Sequence, residues 1–370
     1  GRTIAKADGA AAAIAPCTAK TAAATEPVTQ RVQVPMTYSG SAVPHDGSEP
    51  ILPRILPAVI IPAKETSQAM TDLAHLTTEA RNPASETIDR MSALEIVHLI
   101  NAEDATIAAA VGREAATIAR AIEIIADRLR AGGRLVYLGA GTSGRLGVLD
   151  ASECPPTFNA PPGQVVGLIA GGYAALTRSI EGAEDHPELA VEDLKSIALS
   201  ANDVVVGIAT SGRTPYVLGG LAYAHSQGAC AIGVACNRDT ELNARSDLTI
   251  TPIVGPEVVS GSTRMKAGTA TKMVLNMLST GAMVLLGKTF GNLMVDLQST
   301  NSKLVERSRR IVAAMTDRPP NAVEQALVQA AGEVKTAIVM LRCNVAADEA
   351  RRRLRHCHGH LRKALEEPGL

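Results

Sequence analysis

Four short apolar runs, at residues 134–138, 165–170, 203–209 and 229–236, recur along the middle of the chain, each separated from the next by a stretch long enough for a helix. Runs of this length read as strands buried on both faces. Strands alternating with helices pair in parallel, because a parallel neighbour is reached only through a crossover. A fifth run, 248–254, reads as the strand that closes the sheet, and a long, largely apolar helix follows from about residue 262 to 286. The pattern predicts an α/β fold, a doubly wound parallel sheet with helices on both faces. With two Phe, five Tyr and no Trp in 370 residues, the core has to be aliphatic, which layered α/β packing suits.

The flanks carry a different period. Ser92 and Glu95 have the spacing of a capping box, in which each side chain satisfies a free N–H at a helix start. From Leu94 to Leu129 apolar residues recur at three- and four-residue steps, ending at Gly132-Gly133, so the sheet is preceded by a helical flank. Beyond Gly287 the spacing is helical again, at 322–331, 333–340 and 347–354, which predicts a small helical C-terminal subdomain. Residues 1–69 are rich in Ala, Thr and Pro without either period, and read as a disordered extension with no assigned function. The expected division is 1–69, 70–290 and 291–370.

A formal net charge of −1 with 46% hydrophobic residues provides no basic field for nucleic acid. The apolar stretch at 55–63 is short and broken by Pro57 and Pro62, so no membrane span or signal core is expected there. The six cysteines form no CxxC pair, which points to a reducing compartment and a cytoplasmic location.

The first strand runs into Gly139-Ala-Gly141-Thr-Ser-Gly144, a GxGxxG loop opening a helix. A dinucleotide site would add an acidic residue at the end of the second strand to bind ribose, whereas this strand ends Ile169-Ala-Gly-Gly172. What remains is either a tight strand-to-helix turn or a cradle where free N–H groups and the Thr142 and Ser143 hydroxyls hold a small anion. The third strand repeats the design with Ser211-Gly212-Arg-Thr214-Pro215. In a parallel sheet both turns lie at the carboxyl edge, where a sugar bearing a phosphate suits the pair.

These turns resemble the sugar isomerase (SIS) domain, in which a Ser/Thr-Gly-rich turn binds the phosphate of a phosphosugar. The segments Gly139-AGTSGRLGVLDASECPPT-Phe158, Glu181-GAED, Ser211-GRTP and Gly255-PEVVSGSTRMKAGTATK are similar, in order, to the signatures of the N-acetylmuramic acid 6-phosphate etherases, and the last is shared with glucokinase regulatory proteins. The resemblance covers about residue 70 to the C-terminus. It implies a lyase that needs no cofactor or metal and acts on a small-molecule phosphosugar. Glu153 matches the family's general acid and Glu184 its second catalytic glutamate, with Glu181 and Asp185 as close rivals. Both glutamates are expected near the sheet's ligand edge, Glu153 at the end of its helix beside Pro155-Pro156, and Glu184 after the second strand's helix. Thr142, Ser143, Gly144, Ser211, Gly212 and Thr214 are the expected phosphate contacts.

Ser262, Arg264 and Lys266 are expected at the start of the long helix, as ligand contacts or, for the two cations, as a subunit contact or internal ion pair. Asn292 and Asp296 also match a family motif. His356-Cys-His-Gly-His360 reads as a solvated basic terminal helix rather than a metal site, and Cys154 as a buried neighbour of the acid. The competing readings are a non-catalytic phosphosugar-binding regulator, which does not need the paired glutamates, and an aldose–ketose isomerase. The apolar excess of the long helix predicts a homodimer with sites near its interface.

Overall fold

A computed structural model of the chain describes residues 76–296 and 302–366; the expected extension at 1–69 lies outside them. Three helices lead in, α1 (Ala93–Asp104), α2 (Ile107–Gly112) and α3 (Ala115–Arg130). At the start of α1 the Ser92 hydroxyl accepts the Glu95 N–H at 3.4 Å and the Glu95 carboxylate accepts the Ser92 N–H at 2.7 Å, the capping box read from the sequence. Next come β1 (Leu135–Gly139), α4 (Gly141–Phe158), β2 (Val165–Ile169), α5 (Pro187–Ser196), β3 (Val204–Ile208), α6 (Pro215–Ser226), β4 (Cys230–Val234), α7 (Glu241–Ala244), β5 (Leu248–Ile250) and α8 (Lys266–Leu285).

The five strands form one parallel sheet in the order β2-β1-β3-β4-β5. Alternation along each strand divides its side chains between two cores. Leu135, Tyr137, Val204, Val206 and Ile232 face a layer containing α3, α4 and α8. Val136, Leu138, Val205 and Ala231 face α5 and α6. The chain leaves β1 for β2 on one side and returns to β3 on the other, with Gly139 level with Ile208. The turns after β1 and β3 therefore open at the point where strand order reverses, the place at which such sheets form a crevice.

Three boundaries differ from the sequence reading. The fifth strand ends at Ile250 rather than residue 254, because Pro252 has no N–H to give the ladder. The long helix starts at Lys266, not residue 262, because the buried Glu257 carboxylate accepts the first two amide hydrogens, from Lys266 at 2.8 Å and Ala267 at 2.9 Å. Pro155 and Pro156 do not end α4 but lie in its last turn. The helix closes three residues later, at Asn159 in the left-handed conformation, whose N–H bonds the Pro155 carbonyl at 2.9 Å.

After α8 a two-stranded hairpin, β6 (Thr289–Phe290) and β7 (Leu293–Met294), turns at Gly291-Asn292. Its strands are too short for the sequence pattern to have signalled them. The helices α9 (Ser302–Thr316), α10 (Pro320–Gln329), α11 (Val334–Cys343), α12 (Ala347–His356) and α13 (Leu361–Glu366) follow and enclose their own core, including Val312, Val323, Ile338, Leu354 and Leu361. The His-rich stretch is not one continuous helix. Left-handed His358 and Gly359 break it between α12 and α13, and Cys357 points inward. Among the described residues no helix is long and apolar enough to cross a membrane.

Candidate active site

Two turns at the sheet's carboxyl edge begin helices without side-chain caps. Ala140 precedes α4 and Thr214 precedes α6, and neither makes a capping hydrogen bond. The first intrahelical bond of α4 runs from the Gly144 N–H to the Ala140 carbonyl at 3.2 Å, which leaves the amides of Gly141, Thr142 and Ser143 without such partners. Free amides at a helix start favour an anion. Ser143 is buried, Thr142 half-buried, and a Cβ built on Gly268 of α8 would lie 3.7 Å from Thr142 Cγ2. The α8 start thus abuts the first loop.

Gly144 has a packing task. A Cβ there would sit 2.6 Å from both the Gly139 carbonyl oxygen and Ile169 Cγ1, so only glycine lets α4 rise this close to β1 and β2. Gly212 sustains the second turn, with a φ of +75° and Thr240 Oγ1 only 2.2 Å from where a Cβ would be. The Ser211 hydroxyl accepts the Arg213 N–H at 3.3 Å. Over this turn Asn237 donates to the Thr210 carbonyl and to Thr78 Oγ1, both at 3.0 Å, which ties the segment entering the fold to the ligand edge.

Glu184 comes to the first loop by a route the sequence reading did not anticipate. It lies in a 3₁₀ turn (Ala183–Asp185) that precedes α5 rather than following it. Glu181, Gly182 and Glu184 share a cleft of about 380 Å³ with Ala140, Gly141 and Arg145, and Asp185 is not among its walls. Arg145 is fixed by hydrogen bonds to the carbonyls of Leu176 at 3.2 Å and Arg178 at 3.1 Å. The cleft therefore has carboxylates on one wall and the Arg145 cation with Gly141 on the other, while Thr142 and Ser143 are not among its walls.

Glu153 is not in that cleft. Twelve residues separate it from Gly141 on one continuous helix, and at 1.5 Å per residue that carries it about 18 Å away. Both glutamates are expected near the sheet's ligand edge, but within this chain α4 runs back along the sheet and carries Glu153 away from that edge, facing outward and exposed near Leu149. The inner face of α4 is polar at one point. Tyr137 Oη donates to Asp150 at 2.8 Å and Lys272 Nζ stands 3.7 Å from the same carboxylate, while burial pushes the Asp150 pKa up. Burial, and then Asp150, push the neighbouring Cys154 thiol up to about 12, so it stays protonated and unreactive.

The expected contacts ahead of α8 divide. Ser262 is half-buried in the turn before the helix, and its carbonyl accepts the Met265 N–H at 3.1 Å. Arg264 is exposed. Lys266 is 3% exposed and its ammonium meets the Glu103 carboxylate of α1 at 2.5 Å, which makes it an internal ion pair. Glu257 and Glu103, which hold this helix start, were missed by sequence reasoning. Glu257 stood inside the Gly255-Pro-Glu-Val-Val motif, but nothing local ties it to amides nine and ten residues ahead. Asp296 is bridged by Lys288 at 2.9 Å and Lys335 at 3.0 Å. Asn292 borders a different groove, with Arg307 and Arg310.

Residues 117–225 match the model of the glucokinase regulatory protein N-terminal SIS domain. A five-stranded parallel sheet with uncapped Ser/Thr-rich turns at its switch point places the chain in the SIS class. Comparison with curated relatives narrows this. The chain is 62% identical over 299 residues to the N-acetylmuramic acid 6-phosphate etherase of Rhodopirellula baltica, covering 81% of this chain and 99% of that one. For the enzymes so named in Mycolicibacterium smegmatis and Streptomyces coelicolor, identity is 54% over 294 residues and 56% over 295, covering 80% of this chain and 99% and 95% of theirs. The chain belongs to the N-acetylmuramic acid 6-phosphate etherase family and is a lyase.

Proposed function

We propose that the protein cleaves the D-lactyl ether of N-acetylmuramic acid 6-phosphate, giving N-acetylglucosamine 6-phosphate and D-lactate, as a cytoplasmic step in reuse of cell-wall amino sugar. The observation that carries this reading is the shared cleft of Glu184 and the uncapped start of α4. Phosphate sits on the amides of α4 with Thr142 and Ser143, and on the second turn with Ser211 and Thr214; Gly144 and Gly212 shape the two turns, and Ser262 and Arg264 border the sugar. In the open-chain aldehyde the carbonyl acidifies C2–H, and the lactyl oxygen on C3 is a β leaving group. Glu184 takes the C2 proton, the electron pair forms the C2–C3 double bond, and the C3–O bond breaks as Glu153 protonates the departing oxygen. Water then adds at C3 of the unsaturated aldehyde.

Because α4 holds Glu153 about 18 Å from its own loop, the acid comes from a second copy. A twofold dimer pairing exposed α4 faces brings Glu153 of one chain toward the cleft of the other. Unpartnered apolar surface supports such a dimer. No residue of α1 is buried, and Leu94, Val97, Leu149 and Met277 are all exposed.

D-lactate release from N-acetylmuramic acid 6-phosphate, with a chelator present, tests the reaction; a protein that binds the sugar but releases no lactate is a regulator. Exchange of C2–H with deuterated solvent tests the roles. Glu153→Gln is expected to keep exchange while releasing little lactate, and Glu184→Gln to lose both by at least about 10²-fold. The opposite result reverses the assignment, and near-normal lactate release by both variants removes it.

A further inference from the structure

At the other end of the sheet, residues far apart in sequence line an open cavity of about 660 Å³. Gln164, whose carbonyl accepts the first amide of β1, marks this as the amino edge of the strands, opposite the phosphate turns. Arg130 comes from the end of α3, Lys288 from beyond α8, Asp296 from beyond the hairpin, Lys335 from α11, His358 and His360 from the break before α13, and Lys363 from α13 itself. The C-terminal helices and the sheet's edge build it jointly.

The charges are out of balance. Lys288 and Lys335 share one Asp296 oxygen, at 2.9 and 3.0 Å. Lys335 is 8% exposed and also donates to the Gly359 carbonyl at 2.9 Å. Asp127 offsets Arg130 at 2.6 Å, whereas Lys363 makes no ion pair among the described residues. Burial and then Lys288 push the Lys335 pKa down against the pull of Asp296. Burial, followed by Lys363, Arg130, Lys335 and His358, does the same to His360. Gln164 Oε1 is buried without a hydrogen-bond partner, an acceptor waiting for a donor.

We propose that this cavity is a second anion site, taking a phosphate group whose charge Lys288, Lys335 and Lys363 balance and whose hydroxyl, or that of an attached sugar, donates to Gln164. Ammonium–phosphate contacts are charge-assisted and strong when partly buried, and a phosphate relieves the crowding that depresses Lys335 and His360.

The probe is inorganic phosphate, titrated calorimetrically into the full-length protein at constant ionic strength, with N-acetylglucosamine 6-phosphate in a second arm. Ser143→Ala/Ser211→Ala weakens the sites at the turns. A phosphate site that survives in this variant and weakens by at least about tenfold when Lys363→Glu is added supports the proposal. Tighter binding of the sugar ester than of free phosphate assigns the site to the ester, and the reverse to the free ion. If the double variant abolishes all binding, or Lys363→Glu changes nothing, the proposal is overturned. Imidazole resonances of His358 and His360 provide a readout that needs no variant: phosphate has to shift them, and unmoved resonances at saturation overturn the site.

Discussion

Mixing two inactive variants decides where Glu153 acts. Glu153→Gln and Glu184→Gln, each as a pure protein, are expected to lose at least about 10²-fold in lactate release if general acid–base catalysis is removed. Their structural separation determines what a mixture does. Within one chain Glu153 lies about 18 Å along α4 from the loop that Glu184 faces, so the proposed site takes one glutamate from each subunit. Equal amounts of the two variants, dissociated and reassociated at random, give mixed dimers as half the population. Each mixed dimer has one site with both native glutamates and one with neither, so the mixture recovers about one quarter of wild-type activity. D-lactate release before and after reassociation is the assay, with light scattering to follow the dimer. Activity that stays at the level of the separate variants, in a population shown to contain mixed dimers, refutes the shared site and returns both glutamates to one chain.

Removing the Ser143 or Ser211 hydroxyl is expected to weaken substrate binding by about 0.5–3 kcal/mol each, the range for hydrogen bonds including those to charged groups; unchanged affinity in both variants takes these turns out of the phosphate site. The pair between Glu103 and buried Lys266 contributes a pH-dependent stability. A hydrogen bond from Lys266 holds the Glu103 pKa below its ordinary value, so the contribution is complete above the unfolded pKa of about 4.3 and is lost as pH falls through the lower folded value. Glu103→Gln leaves Lys266 buried without its carboxylate and is expected to cost about 3 kcal/mol at neutral pH. Denaturant melts at neutral pH and near pH 3 check this, and a deficit that does not shrink on acidification contradicts the pairing.

Local sequence carried much of the architecture. The spacing of apolar runs around 134–138 and 203–209 foretold parallel strands, and Ser92 with Glu95 foretold a helix start, because hydrophobic period and capping are decided within a few residues. The two Gly- and hydroxyl-rich turns were visible for the same reason: clustered glycine and hydroxyl side chains mark a tight strand-to-helix turn within a few residues. Boundaries that depended on distant partners were not, as the α8 start at Lys266 illustrates, since it is held by a carboxylate nine residues back.

What the sequence alone determined is the layered sheet, the turns at its carboxyl edge and the order of the family's motifs. Only the tertiary structure decided that Glu184 faces the first turn while Glu153 is carried away on α4, that Lys266 spends its charge on Glu103, and that residues from Arg130 to Lys363 surround one basic cavity. A residue type and its local spacing set what a side chain is able to do. Helix length, strand order and packing set which other side chains it meets, and charge, burial and reach depend on those meetings across long stretches of chain.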